Sequence, residues 1–241
     1  MASDNAVHIW SITLDGAPAF LRQLQQTLSA DEQERARRFQ FAWLRRRFVV
    51  ARGMLRTLLG CYLEQAPTAV HLVYNQYGKP ALGDGEGEES LRFNLSHSGD
   101  LALLAFTRQA ELGIDLEWIH PDIDYAEIAQ RFFSPLEWAA LCAVPAPQQL
   151  AAFYRCWTRK EAYIKAKGLG LSIPLDRFTV SLAEHDAKLV QVQDDPQEIT
   201  RWSLSELQPA PGYLGALAVA GPPRRIRHFA WPVTLEKGAI S

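Results

Sequence analysis

Residues 91–119 read LRFNLSHSGDLALLAFTRQAELGIDLEWI. Three apolar, β-rich stretches, Leu91–Leu95, Leu101–Thr107 and Gly113–Ile119, are separated by polar, turn-forming residues, and each predicts a strand. On the N-terminal side, Val7–Leu14 predicts another strand. Ser29 is a good N-cap for a helical run from Ala30 to Leu63, with Asp31, Glu32 and Glu34 early, where the helix dipole favours them. That run is too long for one ordinary helix, so a break is expected near Phe41–Leu44, and Pro67 closes the region. A short strand at His71–Tyr74, a QYGKP turn and a Gly-rich surface loop at 83–90 complete this side.

On the C-terminal side the pattern turns helical over Asp124–Phe133. Ser134-Pro135 then opens a second helix, with Ser as N-cap, Pro at the first helical position and Glu137 at the capping-box position. Gln148–Lys167 predicts a long helix stopped by Gly168 and Gly170. Strand candidates follow at Arg177–Leu182, Lys188–Val192, Thr200–Leu204, Tyr213–Val219 and Ile226–Ala230. Helices precede clustered strands on both sides of a divide near residue 112. That order predicts an α+β fold rather than a doubly wound sheet.

The whole chain has 241 residues, 48% of them hydrophobic and 22% charged, with a net charge of -2. This is an ordinary balance with enough apolar residues for a sizeable core, and it argues against a general nucleic-acid binder. The Met1–Trp10 segment lacks the basic and apolar regions of a secretory signal, and no apolar run is long enough to span a membrane, so a cytoplasmic location is expected. Cys61, Cys142 and Cys156 lack metal-ligand spacing and sit among apolar neighbours, which predicts three small buried hydrophobes in a reducing compartment.

Within Gly113-Ile114-Asp115-Leu116-Glu117, strand alternation puts Asp115 and Glu117 on one face, roughly 6–7 Å apart, with Ile114, Leu116 and Trp118 on the core face. Taken alone, the pair reads more readily as a solvated edge strand than as a site. The helix CWTRKEAYIK (156–165) adds a third carboxylate, Glu161, an i,i+4 partner for it in Lys165, and a further ammonium group in Lys160. Alone it reads as an ordinary surface helix. Carboxylates with nearby ammonium groups suit Mg²⁺ and a phosphate-bearing substrate. Ser96 and His97 in the SHSG turn cannot hydrogen-bond each other directly on an extended chain, so a Ser–His nucleophile pair is not expected. YGKP (77–80) and the arginine cluster Arg45-Arg46-Arg47 offer further cations.

Together YGKP (77–80), FNLSHSG (93–99), GIDLE (113–117), RFFSPLEW (131–138) and WTRKEAYIKAKGLGL (157–171) resemble the Sfp-type 4′-phosphopantetheinyl transferases, over roughly residues 29–181. The resemblance implies two similar α+β halves, residues 1–112 and 113–241, related by a pseudo-twofold with the active site in the cleft between them, in a monomer. It implies transfer of 4′-phosphopantetheine from coenzyme A to a serine of an apo acyl or peptidyl carrier protein, with Mg²⁺ and with release of 3′,5′-ADP. The nucleophile then belongs to the carrier. By position, Asp115, Glu117 and Glu161 match metal ligands, and Lys160 and Lys165 match residues at the pyrophosphate. His97 and Arg47 match contacts to the 3′-phosphate, and Lys79 and Ser96 match contacts to the nucleotide end. Glu161 and Glu137 are alternative bases. Where some members of the family carry a coenzyme A-binding lysine in the early helix, this chain has Glu32, or Arg35 takes up the charge. The segment Ile119–Phe133 is expected to form a flap against the carrier.

Overall fold

The computed structural model describes residues 6–83 and 90–231. The expected 83–90 loop therefore lies largely outside the described residues, as does part of the Met1–Trp10 segment. The chain opens with strand β1 (Ala6–Thr13), then helices α1 (Pro18–Thr27), α2 (Ala30–Arg37) and α3 (Ala42–Leu63). Strands β2 (Leu72–Tyr74), β3 (Pro80–Leu82), β4 (Leu91–Ser98), β5 (Leu101–Arg108) and β6 (Leu112–Trp118) follow. Next come helices α4 (Tyr125–Phe132), α5 (Pro135–Ala143) and α6 (Ala146–Lys167), strands β7 (Phe178–Val180) and β8 (Leu189–Val192), and the short helix α7 (Glu198–Arg201). Strands β9 (Trp202–Leu207), β10 (Tyr213–Ala220) and β11 (Arg225–Ala230) end the described chain. The architecture is α+β.

The caps fall where the sequence puts them. Ser29 and Ser134 each close a capping box, with Glu32 and Glu137 respectively, and α6 ends at Gly168 in the left-handed region. The break in the first long helix comes between α2 and α3. Helix α1 was not legible as a periodic stretch, although Pro18 sits at its start. The SHS segment is strand rather than turn. The β4–β5 ladder continues through Ser98 opposite Leu101, and the turn is confined to Gly99 and Asp100.

Two sheets organise the core. The first has strand order β11-β1-β5-β4 and the second β6-β10-β9. Because β11 pairs with β1 in parallel, the chain returns at its end to the first sheet, so a strand from beyond residue 112 completes the N-terminal sheet. Helix α3 packs on one face of the first sheet, burying Val50, Met54, Leu58 and Leu59 against Leu104 and Phe106. Helix α6 packs on the second, burying Phe153, Cys156, Ala162 and Ile164 near Ala216 and Ala218. A third cluster lies between the sheets, formed by Val7, Ile9, Leu103, Ile114, Leu116 and Leu217. The resulting layers run helix, sheet, sheet, helix, driven by burial of apolar area at about 25 cal/mol per Å².

Two readings of burial are corrected. Cys156 is buried but Cys61 and Cys142 are exposed, because they fall on the outward faces of α3 and α5. Trp118 is 45% exposed, since β6 ends there and its ring leaves the inter-sheet core to meet His120 edge-on. No helix among the described residues is long and apolar enough to cross a membrane.

Candidate active site

Strand β6 alternates as expected. Ile114 and Leu116 enter the inter-sheet core, while Gly113, Asp115 and Glu117 face α6. Gly113 decides how closely that helix approaches: a Cβ there would meet the Ala162 carbonyl and the Ala166 amide, both at 2.2 Å. Only a glycine lets the helix backbone lie so close to the strand. The close approach brings Glu161 and Lys165 over the carboxylates of β6.

Asp115 is 3% exposed. Its Oδ1 accepts from Lys165 Nζ at 2.6 Å and from Ser96 Oγ at 3.0 Å. Its Oδ2 is buried with no hydrogen-bond partner. A buried carboxylate oxygen left unpaired is costly unless something binds it. Glu117 Oε2 accepts from Ser98 Oγ at 2.9 Å. Burial pushes the Glu117 carboxyl above its ordinary range, the Asp115 charge adds to this, and the Ser98 hydrogen bond and Lys165 oppose it. Burial and Asp115 likewise push Glu161 up. The three carboxylates therefore sense one another, with Lys165 the nearby cation. Lys165 closes its ion pair on Asp115, across to the strand, rather than along the helix on Glu161.

All three are oxygen donors, which fits a hard cation such as Mg²⁺, and the orphaned Asp115 Oδ2 is a ready ligand. Among the described residues, the group whose ligand atoms already lie within 4.8 Å of one another is a different one, Glu184, His185 and Glu206. There Glu206 is committed to Arg155 and Arg159.

Two expected residues sit elsewhere. Lys160 and Glu137 are both fully buried and bind each other. Lys160 Nζ donates to both carboxylate oxygens of Glu137 at 2.7 Å and to the Phe178 carbonyl at 2.6 Å. Glu137 also accepts from the Ser134 and Val180 amides. This pair locks α5 and β7 to α6. Neither side chain lines either of the two pockets that border the other site residues.

The remaining residues border two adjoining pockets. One, of about 290 Å³, is lined by Tyr77, Lys79, Asn94, Glu161, Lys165 and Gly168. The other, of about 420 Å³, includes Arg35, Phe39, Arg47, Arg52 and His97. Gly78, Pro80, Asn94 and Leu95 border both. The YGKP turn and the outer end of β4 thus separate an acidic, ammonium-bearing end from an arginine-rich end. The Lys79 ammonium is turned inward, donating to the Leu112 and Ala166 carbonyls at 3.2 Å. Burial lowers its pKa against the raising effect of Glu111. Ser96 serves Asp115 and Lys165 rather than the arginine-rich end. Arg47 stacks over Trp43 with its guanidinium 4.8 Å from the ring centroid and pairs with Asp100. His97 is exposed at the rim, yet desolvation by surrounding protein, then the charges of Lys165 and Arg47, hold its pKa below the usual histidine range. Glu32, at the early-helix position, is buried in its capping box and paired with Arg56 at 2.5 Å.

Sequence reasoning missed Asn94 and Ser98. With Ser96 they form one alternating face of β4, and that face was hidden by reading SHS as a turn. Asn94 Oδ1 accepts from the Ile114 amide at 2.9 Å, and Ser98 Oγ accepts from the Trp118 amide at 3.0 Å. Side chains of one sheet's edge strand thereby satisfy the edge amides of the other.

A two-sheet α+β protein whose acidic cluster reaches one of two adjoining pockets through Glu161, with arginines lining the other, has the make-up of a phosphate-transfer enzyme. A family model described as the 4′-phosphopantetheinyl transferase superfamily matches residues 111–219, and one described as the N-terminal part of 4′-phosphopantetheinyl transferase matches residues 15–109. The 4′-phosphopantetheinyl transferase HetI of Nostoc sp. strain PCC 7120 is 44% identical over 216 residues, covering 89% of this chain and 88% of the relative. The 4′-phosphopantetheinyl transferase Sfp of Bacillus subtilis strain 168 is 32% identical over 197 residues, covering 81% and 83%. The chain belongs to the 4′-phosphopantetheinyl transferase family.

Proposed function

We propose that this protein transfers the 4′-phosphopantetheine moiety of coenzyme A to a serine of an apo acyl or peptidyl carrier protein, using Mg²⁺ held by Asp115, Glu117 and Glu161. Membership in the family supports the reaction. The observation that carries the site is the buried, unpartnered Asp115 Oδ2 beside Glu117 and Glu161. Coenzyme A lies across the two adjoining pockets, with its pyrophosphate toward Glu161 and Lys165 and its 3′-phosphate toward Arg47 and His97.

The carrier's serine Oγ attacks the β-phosphorus, the bond to the bridging oxygen breaks, and 3′,5′-ADP leaves with the electron pair. When bound, Mg²⁺ supplies charge stabilisation at the phosphate oxygens. Lys165 offers an ammonium to the same charge. Glu161 takes the serine proton, since it lines the open pocket where an incoming hydroxyl can reach it. Glu137 and Lys160 position α6 and touch neither reactant. Lys79 holds the YGKP turn against β6 and α6, which shapes the nucleotide pocket. The strand order β1-β5-β4, repeated as β6-β10-β9, and the 22-residue helices α3 and α6 support two halves related by a pseudo-twofold, and their packing within one chain supports a monomer.

The test is to incubate the protein with coenzyme A, Mg²⁺ and apo carrier proteins and to read carrier mass. The expected outcome is a phosphopantetheine mass gain with equimolar 3′,5′-ADP, lost in EDTA and in a folded Asp115→Ala variant. An unchanged mass across several carrier types, or full activity in EDTA, would overturn the reading.

A further inference from the structure

Strand β4 ends in Ser98, whose hydroxyl is doubly engaged. Its Oγ accepts from the Trp118 amide at 3.0 Å and lies 2.9 Å from Glu117 Oε2. A backbone amide can only donate, so the single hydroxyl proton of Ser98 is left for Glu117. That proton commits Oε2, and Oε1 accepts no hydrogen bond among the described residues. One position away along the same face, Ser96 does the same to Asp115, engaging Oδ1 and leaving Oδ2 unpartnered. Two serines of the first sheet thus each fix one oxygen of an acid on the second sheet and leave the other available. The pattern follows from period-two alternation on both strands: residues 96 and 98 face 115 and 117.

We propose that Ser98 is a positioning residue that sets which oxygen of Glu117 meets the metal. This rests on the metal reading of Asp115, Glu117 and Glu161. Ser98 touches no reactant in this assignment. It acts through Glu117, which it keeps from rotating. The Trp118 amide supplies the other half of the device, because without it the hydroxyl could turn toward solvent. Partners that orient metal ligands typically change affinity by 10–100-fold when removed.

The experiment is a Mn²⁺ titration of the protein with coenzyme A bound, followed by electron paramagnetic resonance, together with the Mg²⁺ dependence of carrier modification and the melting temperature. The proteins compared are wild type, Ser98→Ala and Ser98→Thr. Ser98→Ala is expected to weaken Mn²⁺ binding and raise the half-saturating Mg²⁺ about tenfold, with the melting temperature and the KM for coenzyme A little changed. Ser98→Thr, which keeps the hydroxyl on a strand-compatible side chain, is expected to restore both. A wild-type metal affinity in Ser98→Ala overturns the proposal, and so does a loss that Thr fails to restore or that tracks a drop in melting temperature. If wild type itself neither binds Mn²⁺ nor needs Mg²⁺, it is the metal reading that fails, which separates the two outcomes.

Discussion

Replacing Lys160 by Met removes the cation from a pair in which both side chains are fully buried. Breaking such a pair from one side typically costs 3–5 kcal/mol, because the remaining charge is stranded. Here Glu137 keeps two backbone donors, the Ser134 and Val180 amides at 2.8 and 2.7 Å. They cushion the carboxylate and place the loss near the lower limit, about 3 kcal/mol. For a chain of this length that is a fall in melting temperature of about 6–12 °C. Converting Glu137 to Gln in the same protein removes the stranded charge, but one amide oxygen can no longer serve both backbone donors well. The double variant Lys160→Met/Glu137→Gln is therefore expected to stay below wild type, because a backbone amide and the Phe178 carbonyl that Lys160 served are left poorly satisfied, yet to be more stable than Lys160→Met alone, which carries the stranded charge as well. Calorimetric melting measures this directly. Carrier modification, assayed well below the lowest melting temperature, then separates the roles. If Glu137 only positions α6, the double variant keeps kcat within about tenfold of wild type, whereas losing a general base typically costs 10²–10⁴. A double variant that melts as expected yet falls in kcat as far as Glu161→Gln would refute the assignment of the base. A Lys160→Met protein melting with wild type would refute the energetic argument.

Three further outcomes follow from the geometry. Gly113→Ala puts a methyl group against the α6 backbone at 2.2 Å; overpacking of this kind costs about 1–3 kcal/mol, and because it shifts Glu161 and Lys165 it should lower kcat even where the protein is folded. His97 is held below 6.5 in the free protein, and a docked phosphate raises it again. Coenzyme A binding should therefore take up protons around and just below that pH and tighten as pH falls through the window, which calorimetry in buffers of different ionisation enthalpy measures and His97→Gln removes. At Glu198, burial raises the carboxyl, but hydrogen bonds from Lys167, Tyr163 and Arg201 outweigh it and hold the pKa at about 2, below its ordinary 4.5. Its contribution is fully present above pH 4.5 and is lost as pH falls toward 2, so Glu198→Gln should melt below wild type at neutral pH and converge with it in acid.

The legible parts of this fold were those written locally. Ser29 and Ser134 declare helix starts through their own hydrogen-bonding geometry, and Gly168 declares a stop. Alternation in LGIDLEW separates two core residues from two acids with no tertiary information. Lys160 and Lys165 look alike on the sequence, since both flank Glu161 and both are lysines on one helix. They differ in what the helix packs against. Lys160 points to the interior beneath α5 and β7, where Glu137 meets it. Lys165 reaches across to β6, where Asp115 meets it. No property of the helix alone distinguishes them, because the difference lies in elements 20 to 50 residues away in sequence.

Ser98 shows the opposite failure, in which the information was local but misassigned. Ser and His are common in turns, so SHSG by itself predicts one. The pairing of Ser98 with Leu101 extends the strand to its last residue, and once the segment is a strand, residues 94, 96 and 98 must share a face. That face meets the acidic edge of the other sheet. Asp115 and Glu117 share one face of β6, where like charges repel, and each accepts a hydrogen bond from a serine of β4. In the proposed site β6 and α6 supply the carboxylates, and β4 of the other sheet supplies the hydroxyls bonded to Asp115 and Glu117. A variant that keeps Asp115 and Glu117 but removes both Ser96 and Ser98 should therefore retain the negative charge and lose the metal affinity, which would place the site in the seam between the two sheets rather than in either one.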